Sequence, residues 1–236
     1  MPVVDRLELG PIGTNCYVVR AERGAAEAVV VDPSGPAAEI RLHLASAGAR
    51  CAAILVTHGH WDHLLGVADL AGGTGAPVHL AAEERVLLEE PAGFTPSGIT
   101  VRPWTPEVLL AGDETLDLAG LSFEVTSVPG HSPAHLAYHC DGALLSGDVL
   151  FAGSVGRTDI PGADWPTLLA SIGRLVERYP PETVVWPGHG PATTLGRELA
   201  TSPFLAPLRE GVAGAGKQAE DAKGPDDTAS RGASDA

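Results

Sequence analysis

The chain has 236 residues, 44% of them hydrophobic, and its mean hydropathy of +0.10 is typical of a globular protein with a sizeable core. Residues 1–208 contain 11 arginines, no lysine and 24 acidic residues, so they carry −13 of the formal net charge of −15. This balance argues against a nucleic-acid partner, which would require a basic surface to neutralise phosphates.

The N-terminus and the cysteines indicate a cytoplasmic protein. The first ten residues lack the basic and apolar regions of a signal peptide, and no apolar run approaches the length of a membrane span, so no membrane partner is expected. Cys16, Cys51 and Cys140 lie far apart without C-x-x-C spacing. They are predicted to be reduced and buried rather than paired or bound to a metal.

Strands alternate with helices along the first half of the chain, up to a Pro- and Gly-rich stretch over residues 91–106. The predicted elements are, in chain order, strands over 16–19 and 28–31, a helix capped by Ser34 or Gly35 with Pro36 near its first turn, a strand over 50–57 buried on both faces, a helix over 64–70, a strand over 77–80 and a helix over 81–90.

The second half has a similar pattern. Strands are predicted over 121–128, 135–140, 143–146 and 183–187, with an Asp141-Gly142 hairpin turn and a helix capped by Asp164. Two such halves indicate two packed sheets with helices outside, formed by one domain over residues 1–208. Residues 209–236 have a single valine as their only large apolar residue, so they are predicted to form a disordered acidic tail.

Side chains that can ligate a metal are concentrated at residues 57–63, which read T-H-G-H-W-D-H. In an extended exit from the preceding strand, His58, His60 and Asp62 would point the same way, while His63 would point elsewhere or open the next helix. A solvated loop has no physical reason to hold four such side chains at this spacing, so the motif predicts a metal site.

Three further donors follow strands and are flanked by glycine. His131 lies in P-G-H-S-P, Asp148 in S-G-D-V-L and His189 in P-G-H-G-P. The seven donors form two three-ligand sets with one carboxylate left to bridge them, which predicts two metal ions and a shared, activated water as nucleophile. Imidazole and carboxylate ligands suit two zinc ions, with iron or manganese also possible. Outside this set, histidines 43, 79 and 139 are predicted to be structural, and His135 to support the site or pack beside it.

These residues resemble the metallo-β-lactamase superfamily, whose pattern is H-x-H-x-D-H followed by a His, an Asp and a His. The resemblance spans about residues 10–205 and includes T-N-C-Y and V-D-P. It implies an α+β protein, a four-layer αββα sandwich of two mixed sheets with outer helices. It also implies that Asp148 bridges two metals, the first held by His58, His60 and His131 and the second by Asp62, His63 and His189.

Within the superfamily, T-H-G-H-W-D-H and G-R-T-D-I-P resemble compact hydrolases related to glyoxalase II. This implies hydrolysis of a small-molecule S-acyl-thiol thioester, such as S-lactoylglutathione or an analogue with another thiol carrier, with Asp62 and Asp148 as catalytic carboxylates. The chain departs from the group in two ways: a short segment and the predicted tail stand where full-length glyoxalase II has a helical C-terminal domain, and the loop after Asp148 contains no lysine. Arg157 in that loop is the predicted contact to a substrate carboxylate, and an ion pair with Asp159 or Glu182 is the alternative.

Persulfide dioxygenases of the same fold are the competing interpretation, because they also carry G-R-T-D. They use one Fe²⁺, which here would be held by His58, His131 and Asp148. The final motif P-G-H-G-P favours a binuclear hydrolase, since those dioxygenases usually read P-A-H-D. Lactonase-like or phosphodiesterase activity, and metal binding without catalysis, are further alternatives.

Overall fold

Two six-stranded mixed sheets form the centre of the protein, which a computed structural model describes over residues 1–209. The first sheet consists, in chain order and in space, of β1 (Val3–Leu9), β2 (Thr14–Arg20), β3 (Glu27–Val31), β4 (Arg50–Leu55), β5 (Val78–Ala81) and β6 (Val108–Leu110). The strands β1 to β3 pair antiparallel, and β3 to β6 pair parallel.

The second sheet is built from the other half of the chain. It contains β7 (Thr115–Leu118), β8 (Leu121–Ser127), β9 (Leu136–Cys140), β10 (Ala143–Gly147), β13 (Val184–Pro187) and β14 (Thr193–Thr194), in the order β14-β13-β10-β9-β8-β7. Only β10 and β13 are parallel. A small hairpin, β11 (Leu150–Phe151) with β12 (Ser154–Val155), forms a separate two-stranded sheet.

Helices cover the outer faces of the two sheets. They are α1 (Ala37–Ser46), α2 (Trp61–Leu64), α3 (Val67–Thr74), α4 (Arg85–Glu89), α5 (Trp165–Arg178) and α6 (Leu195–Thr201), with 3₁₀ turns at Ala82–Glu84, Pro91–Gly93 and Pro203–Leu205. No helix among the described residues is both long and apolar enough to cross a membrane.

The side-chain alternation of the strands creates three apolar layers. In β2, Cys16 and Val18 pack with α1 and α3, whereas Tyr17 and Val19 face the second sheet, because successive strand residues point to opposite faces. The third layer packs α5 against the outer face of the second sheet. The predicted αββα sandwich is therefore confirmed.

Most predicted elements are present, and the differences have local causes. The helix predicted over 64–70 is divided into α2 and α3 at Gly66. The Gly66 amide donates to the carbonyl of Pro33 at 2.7 Å, and a Cβ there would lie 2.3 Å from the carbonyl oxygen of Gly35. The N-cap residue of α1 is Pro36, where Ser34 or Gly35 was predicted. The strands β1, β6, β7, β11, β12 and β14 and the helix α6 were not predicted. The helix predicted over 81–90 is a 3₁₀ turn followed by the short α4.

Several local predictions are confirmed. Asp141 and Gly142 have φ of 42° and 80°, as a two-residue hairpin turn requires, and the Asp164 carboxylate accepts the amide of Thr167 at 2.9 Å to cap α5. The three cysteines are free and buried. The predicted tail lies outside the described residues except for Arg209, whose guanidinium donates to the carbonyls of Leu199 and Ser202.

Gly130 offers a test of how closely the second sheet and α5 pack. It has φ of 135°, and a Cβ there would lie 2.3 Å from the Cα of Leu168. Gly130→Ala is expected to lower the free energy of unfolding by about 2–4 kcal/mol. Gly24→Ala is the control, because Gly24 also has a positive φ but a Cβ there meets open space; its expected loss is about 1 kcal/mol. Equal losses by denaturant titration would contradict this packing.

Candidate metal centre

The predicted ligands meet where strand ends of both sheets converge. His58 follows β4, His131 follows β8, Asp148 follows β10 and His189 follows β13. The structure brings all seven side chains named by the motif analysis into one cluster. Their role as metal ligands is a prediction that this convergence supports.

The exit from β4 differs from the predicted extended path. The backbone is extended only as far as His60, the N-cap residue of α2, and Asp62 and His63 lie in the helix itself. Adjacent residues point to opposite sides of a strand but lie about 100° apart around a helix. The helix therefore lets Asp62 and His63 face the site together.

Three imidazoles form the first group of donors. His58 Nε2 lies 2.9 Å from His60 Nδ1, which lies 2.9 Å from His131 Nε2. His58 and His131 are buried, and all three donor atoms lie within 4.8 Å of one another. Such a set leaves a fourth, open position on a tetrahedral ion.

The second group contains one carboxylate and two imidazoles. Asp62 Oδ2 lies 3.3 Å from both His63 Nε2 and His189 Nε2. Asp148 stands between the two groups, because its Oδ1 lies 3.5 Å from His63 Nε2 and its Oδ2 lies 3.5 Å from both His131 Nε2 and His189 Nε2. This is the position that a bridging ligand requires.

The donors fit a pair of divalent transition-metal ions. His63 Nε2 and Asp148 Oδ1 are buried without a hydrogen-bond partner, although buried polar atoms are nearly always satisfied. Both atoms face the centre of the cluster. Imidazole and carboxylate donors in two three-ligand groups are appropriate for zinc, iron or manganese.

Asp32, at the end of β3, orients ligands of both groups. Its carboxylate accepts the Thr57 amide and hydroxyl, each at 2.7 Å, and His63 Nδ1 at 2.9 Å. The Thr57 oxygen in turn lies 3.0 Å from His58 Nδ1. These bonds place the proton of each imidazole on Nδ1 and turn Nε2 toward the cluster.

The remaining imidazoles are oriented from elsewhere in the chain. His131 Nδ1 donates to the backbone carbonyl of Arg157 at 2.9 Å, which leaves Nε2 free as a donor to metal. His189 lies on a loop held by Asn15, whose side chain donates to the carbonyls of Pro187 and Gly190. The hydroxyl of Thr14 donates to Asp62 Oδ2 at 2.8 Å. The T-N-C-Y strand thus supports the second group.

A buried glutamate, Glu84, joins the two loops that carry the first group. Its carboxylate accepts the amide of Gly59, between His58 and His60, and also the hydroxyl of Ser132 and the amide of Ala134. The sequence analysis missed this residue. A carboxylate in the first turn of the helix predicted over 81–90, 25 residues beyond Gly59, gives no sequence signal of this contact.

The other histidines have structural contacts, as predicted. His135 stacks on His58 with ring centroids 4.5 Å apart, and its Nε2 accepts the backbone amide of Asp148. Three histidines lie outside the cluster: His43 contacts Asp5, His79 contacts the carbonyl of Ile54, and His139 stacks on Tyr179.

In the absence of metal, His63 and His189 of the second group bind protons more strongly than His58 and His60 of the first. Burial disfavours a charged His63, but the carboxylates of Asp62, Asp32 and Asp148 outweigh this and raise its pKa well above 6.5. Burial opposes ionisation of His189 as well, yet its hydrogen bonds to Asp148 and Asp62 raise its pKa to about 9.

The first group has the opposite electrostatics. Burial, reinforced by the charge of His63, lowers the pKa of His58 well below 6.5, and burial together with His131 lowers the pKa of His60 to about 4. Burial raises the pKa of Asp62, but the positive charge of His63 lowers it, and the net pKa is about 2. At neutral pH His58 and His60 are therefore neutral, whereas the second group holds protons on its imidazoles between ionised carboxylates.

An open cleft of about 550 Å³ lies above the cluster, with His60, Asp62, His131, Asp148 and His189 among the residues that line it. Arg157 also lines the cleft, but two hydrogen bonds of 2.8 and 2.9 Å pair its guanidinium with Asp159. The ion-pair alternative is thus present in the structure. The contact of Arg157 with a substrate carboxylate remains a prediction.

Comparison with known proteins identifies the family. The sequence model described as the metallo-beta-lactamase superfamily matches residues 9–189, so the chain belongs to this superfamily. A "Probable metallo-hydrolase YqgX" of Bacillus subtilis is 34% identical over 208 residues, which cover 85% of this chain and 96% of that protein. A "Hydroxyacylglutathione hydrolase GloC" of Haemophilus influenzae is 32% identical over 184 residues, which cover 75% and 87% of the two chains.

Solved structures agree with the fold. The BLEG-1 B3 metallo-beta-lactamase is 38% identical with a TM-score of 0.81, covering 86% of this chain and all of that one. TTHA1623 in a di-iron-bound form is 38% identical with a TM-score of 0.67, covering 85% and 100%. ETHE1 from Myxococcus xanthus is 22% identical with a TM-score of 0.70, covering 86% and 84%, and this likeness concerns the fold alone.

The contacts of Glu84 lead to a prediction about the first group. Glu84→Ala removes the acceptor for three donors on the two ligand loops, so the affinity for metal is expected to fall about 10- to 100-fold. Glu84→Gln, which keeps one acceptor oxygen, should lose less. Glu83→Ala at the exposed neighbouring position is the control. Chelator competition measures the affinities, and an unchanged affinity in Glu84→Ala would show that the loops hold their geometry without it.

The pKa pattern predicts that the two groups respond differently to pH. A metal ion must displace protons from His63 and His189, whose pKa values are raised, so the second group should bind more tightly as pH rises from 6 to 8. The expected gain is about 10- to 100-fold per pH unit, for one or two protons released. The first group should change little, because its His58 and His60 are neutral throughout this range. Metal titrations at pH 6, 7 and 8 measure both affinities, and equal slopes would contradict the assignment.

Proposed function

We propose that the protein is a binuclear metal-dependent hydrolase of S-acyl-thiol thioesters. The observation that carries this proposal is the convergence of seven donors into two three-ligand groups joined by Asp148, at the floor of an open cleft. The names of two relatives support it, since one is a probable metallo-hydrolase and the other a hydroxyacylglutathione hydrolase. The di-iron form of TTHA1623 supports the number of metals.

Each group of donors would bind one metal ion. His58, His60 and His131 would hold the first ion, the second group Asp62, His63 and His189 would hold the other, and Asp148 would contact both. Zinc is the expected metal, with iron or manganese compatible with the same ligands. When bound, the two ions would supply Lewis acidity toward the thioester carbonyl and lower the pKa of water.

The reaction requires few further groups from the protein. Water adds its oxygen to the carbonyl carbon, the C–S bond breaks, and the proton of water ends on the thiolate, which yields a carboxylic acid and a thiol. We assign to Asp62, at the floor of the cleft, the role of accepting a hydrogen bond from the attacking water. A thiolate leaves with little acid assistance, so the reaction needs no separate proton donor.

A persulfide dioxygenase would require fewer of the clustered side chains than a binuclear hydrolase. A single Fe²⁺ held by His58, His131 and Asp148 would leave Asp62, His63 and His189 without a role, although the first two are buried and T-N-C-Y holds this group in place. Burying charged groups without a function is costly. The complete second group therefore favours the hydrolase.

Metal content and activity test this proposal together. The purified protein is expected to contain close to two transition-metal ions per chain, mostly zinc, and to release free thiol from an acyl-thiol thioester. Elemental analysis and a thiol-trapping assay on one sample measure both quantities. A single iron per chain, with oxygen consumption on a thiol persulfide, would overturn the proposal in favour of the dioxygenase.

The bridging position of Asp148 leads to a separate prediction. Asp148→Ala removes the carboxylate that reaches both groups, so metal content should fall below one ion per chain and activity should fall at least about 10³-fold. His139→Ala is the matched control, because His139 stacks on Tyr179 away from the cluster, and it should keep both properties. Full activity in Asp148→Ala would exclude the bridging role.

A further inference from the structure

The walls of the cleft are apolar, in contrast to its floor. Six large apolar side chains line it: Ile12, Trp61, Phe94, Phe151, Val155 and Ile160. They come from separate segments of the chain, including the turn between β1 and β2 and the β11–β12 hairpin. Apolar walls around a few polar groups are typical of a small-molecule site.

Two of these side chains are unusually accessible. Ile12 and Phe94 are each 55% exposed, and they are among the few large hydrophobic side chains left exposed in the described part of the chain. Both line the cleft, so they stand at its rim where a substrate would cover them. Exposed apolar surface at a cleft marks a binding region.

The cleft also has few positively charged side chains. Apart from histidines of the metal centre, Arg157 is the only cation among the described residues that line it, and the pair that it forms with Asp159 is neutral overall. Residues 1–208 contain no lysine. The described walls therefore hold no unpaired arginine or lysine for the carboxylates or phosphates of an anionic carrier.

We propose that the cleft selects thioesters of an uncharged thiol carrier whose acyl group is an alkyl chain packed on Ile12 and Phe94. This inference rests on the proposed thioester hydrolysis and narrows its substrate class. An anionic carrier such as glutathione would lose water from its carboxylates without gaining cations in return. An alkyl chain gains affinity from each methylene it buries, about fourfold per group when burial is complete.

Binding of thioethers tests the inference without any hydrolysis. Calorimetry on the metal-loaded enzyme compares S-hexyl-N-acetylcysteamine, S-methyl-N-acetylcysteamine and S-hexylglutathione. The neutral hexyl compound is expected to bind at least about tenfold more tightly than either of the others. Equal or tighter binding of S-hexylglutathione would overturn the proposal, and so would equal affinity for the hexyl and methyl compounds.

Substitutions at the rim of the cleft distinguish a direct contact with the alkyl chain from a general loss of structure. Ile12→Ala and Phe94→Ala should each weaken binding of the neutral hexyl compound about fivefold and leave the methyl compound unchanged. Leu42→Ala, at an apolar residue of α1 that is 72% exposed, should change neither. Unchanged hexyl binding in both rim variants would refute the assigned contacts.

Arg157→Ala distinguishes an uncharged carrier from the contact with a substrate carboxylate that the sequence predicts for Arg157. It should leave the affinity for S-hexylglutathione unchanged, because the guanidinium is paired with Asp159. A weaker affinity for this compound alone would instead support the carboxylate contact and contradict an uncharged carrier.

Hydrolysis of a thioester panel keeps the two proposals distinguishable. A higher kcat/KM for S-lactoylglutathione than for S-hexanoyl-N-acetylcysteamine would refute the narrowed class and leave the thioester hydrolase standing. Hydrolysis of neither compound, nor of S-acetyl-N-acetylcysteamine, by a protein that holds its metals would refute the thioester hydrolase itself.

Discussion

The buried carboxylate of Asp32 is the constraint on which the geometry of the metal centre depends. It stands at the end of β3 with φ of 49°, a conformation that aspartate tolerates better than most residues. Its two oxygens hold the backbone and hydroxyl of Thr57 and the ring of His63. Because Thr57 in turn contacts His58, one carboxylate orients an imidazole of each group. Residues at strand ends of the first sheet therefore fix the orientation of one imidazole in each group.

The second sheet completes the site from the opposite side. It delivers His131, Asp148 and His189 on loops after its strands, and hydrogen bonds attach the loops of His131 and His189 to the first half of the chain. Glu84 holds the loop of His131, and Asn15 holds the loop of His189. The site thus exists only when both sheets pack together, which couples the fold to the proposed chemistry. Residues 1–208 are acidic and contain no lysine, and the walls of this cleft are apolar rather than basic.

The sequence predicted the sandwich and the seven clustered side chains because both depend on local signals. Strand and helix periods appear within ten residues, and H-x-H-x-D-H is a compact motif. The supporting contacts are long-range: Thr14 and Asp62 are 48 positions apart, as are Ser132 and Glu84. No spacing rule connects such pairs. The extended path predicted through Asp62 was wrong because α2 begins directly after His60.

The most direct test of a binuclear centre is the position of the metals themselves. Anomalous diffraction from crystals of the protein as purified should give two peaks about 3.5–4 Å apart. One is expected among His58, His60 and His131, and the other among the side chains of the second group, with Asp148 between them. A single peak bound by His58, His131 and Asp148, with the second group empty, would contradict the account.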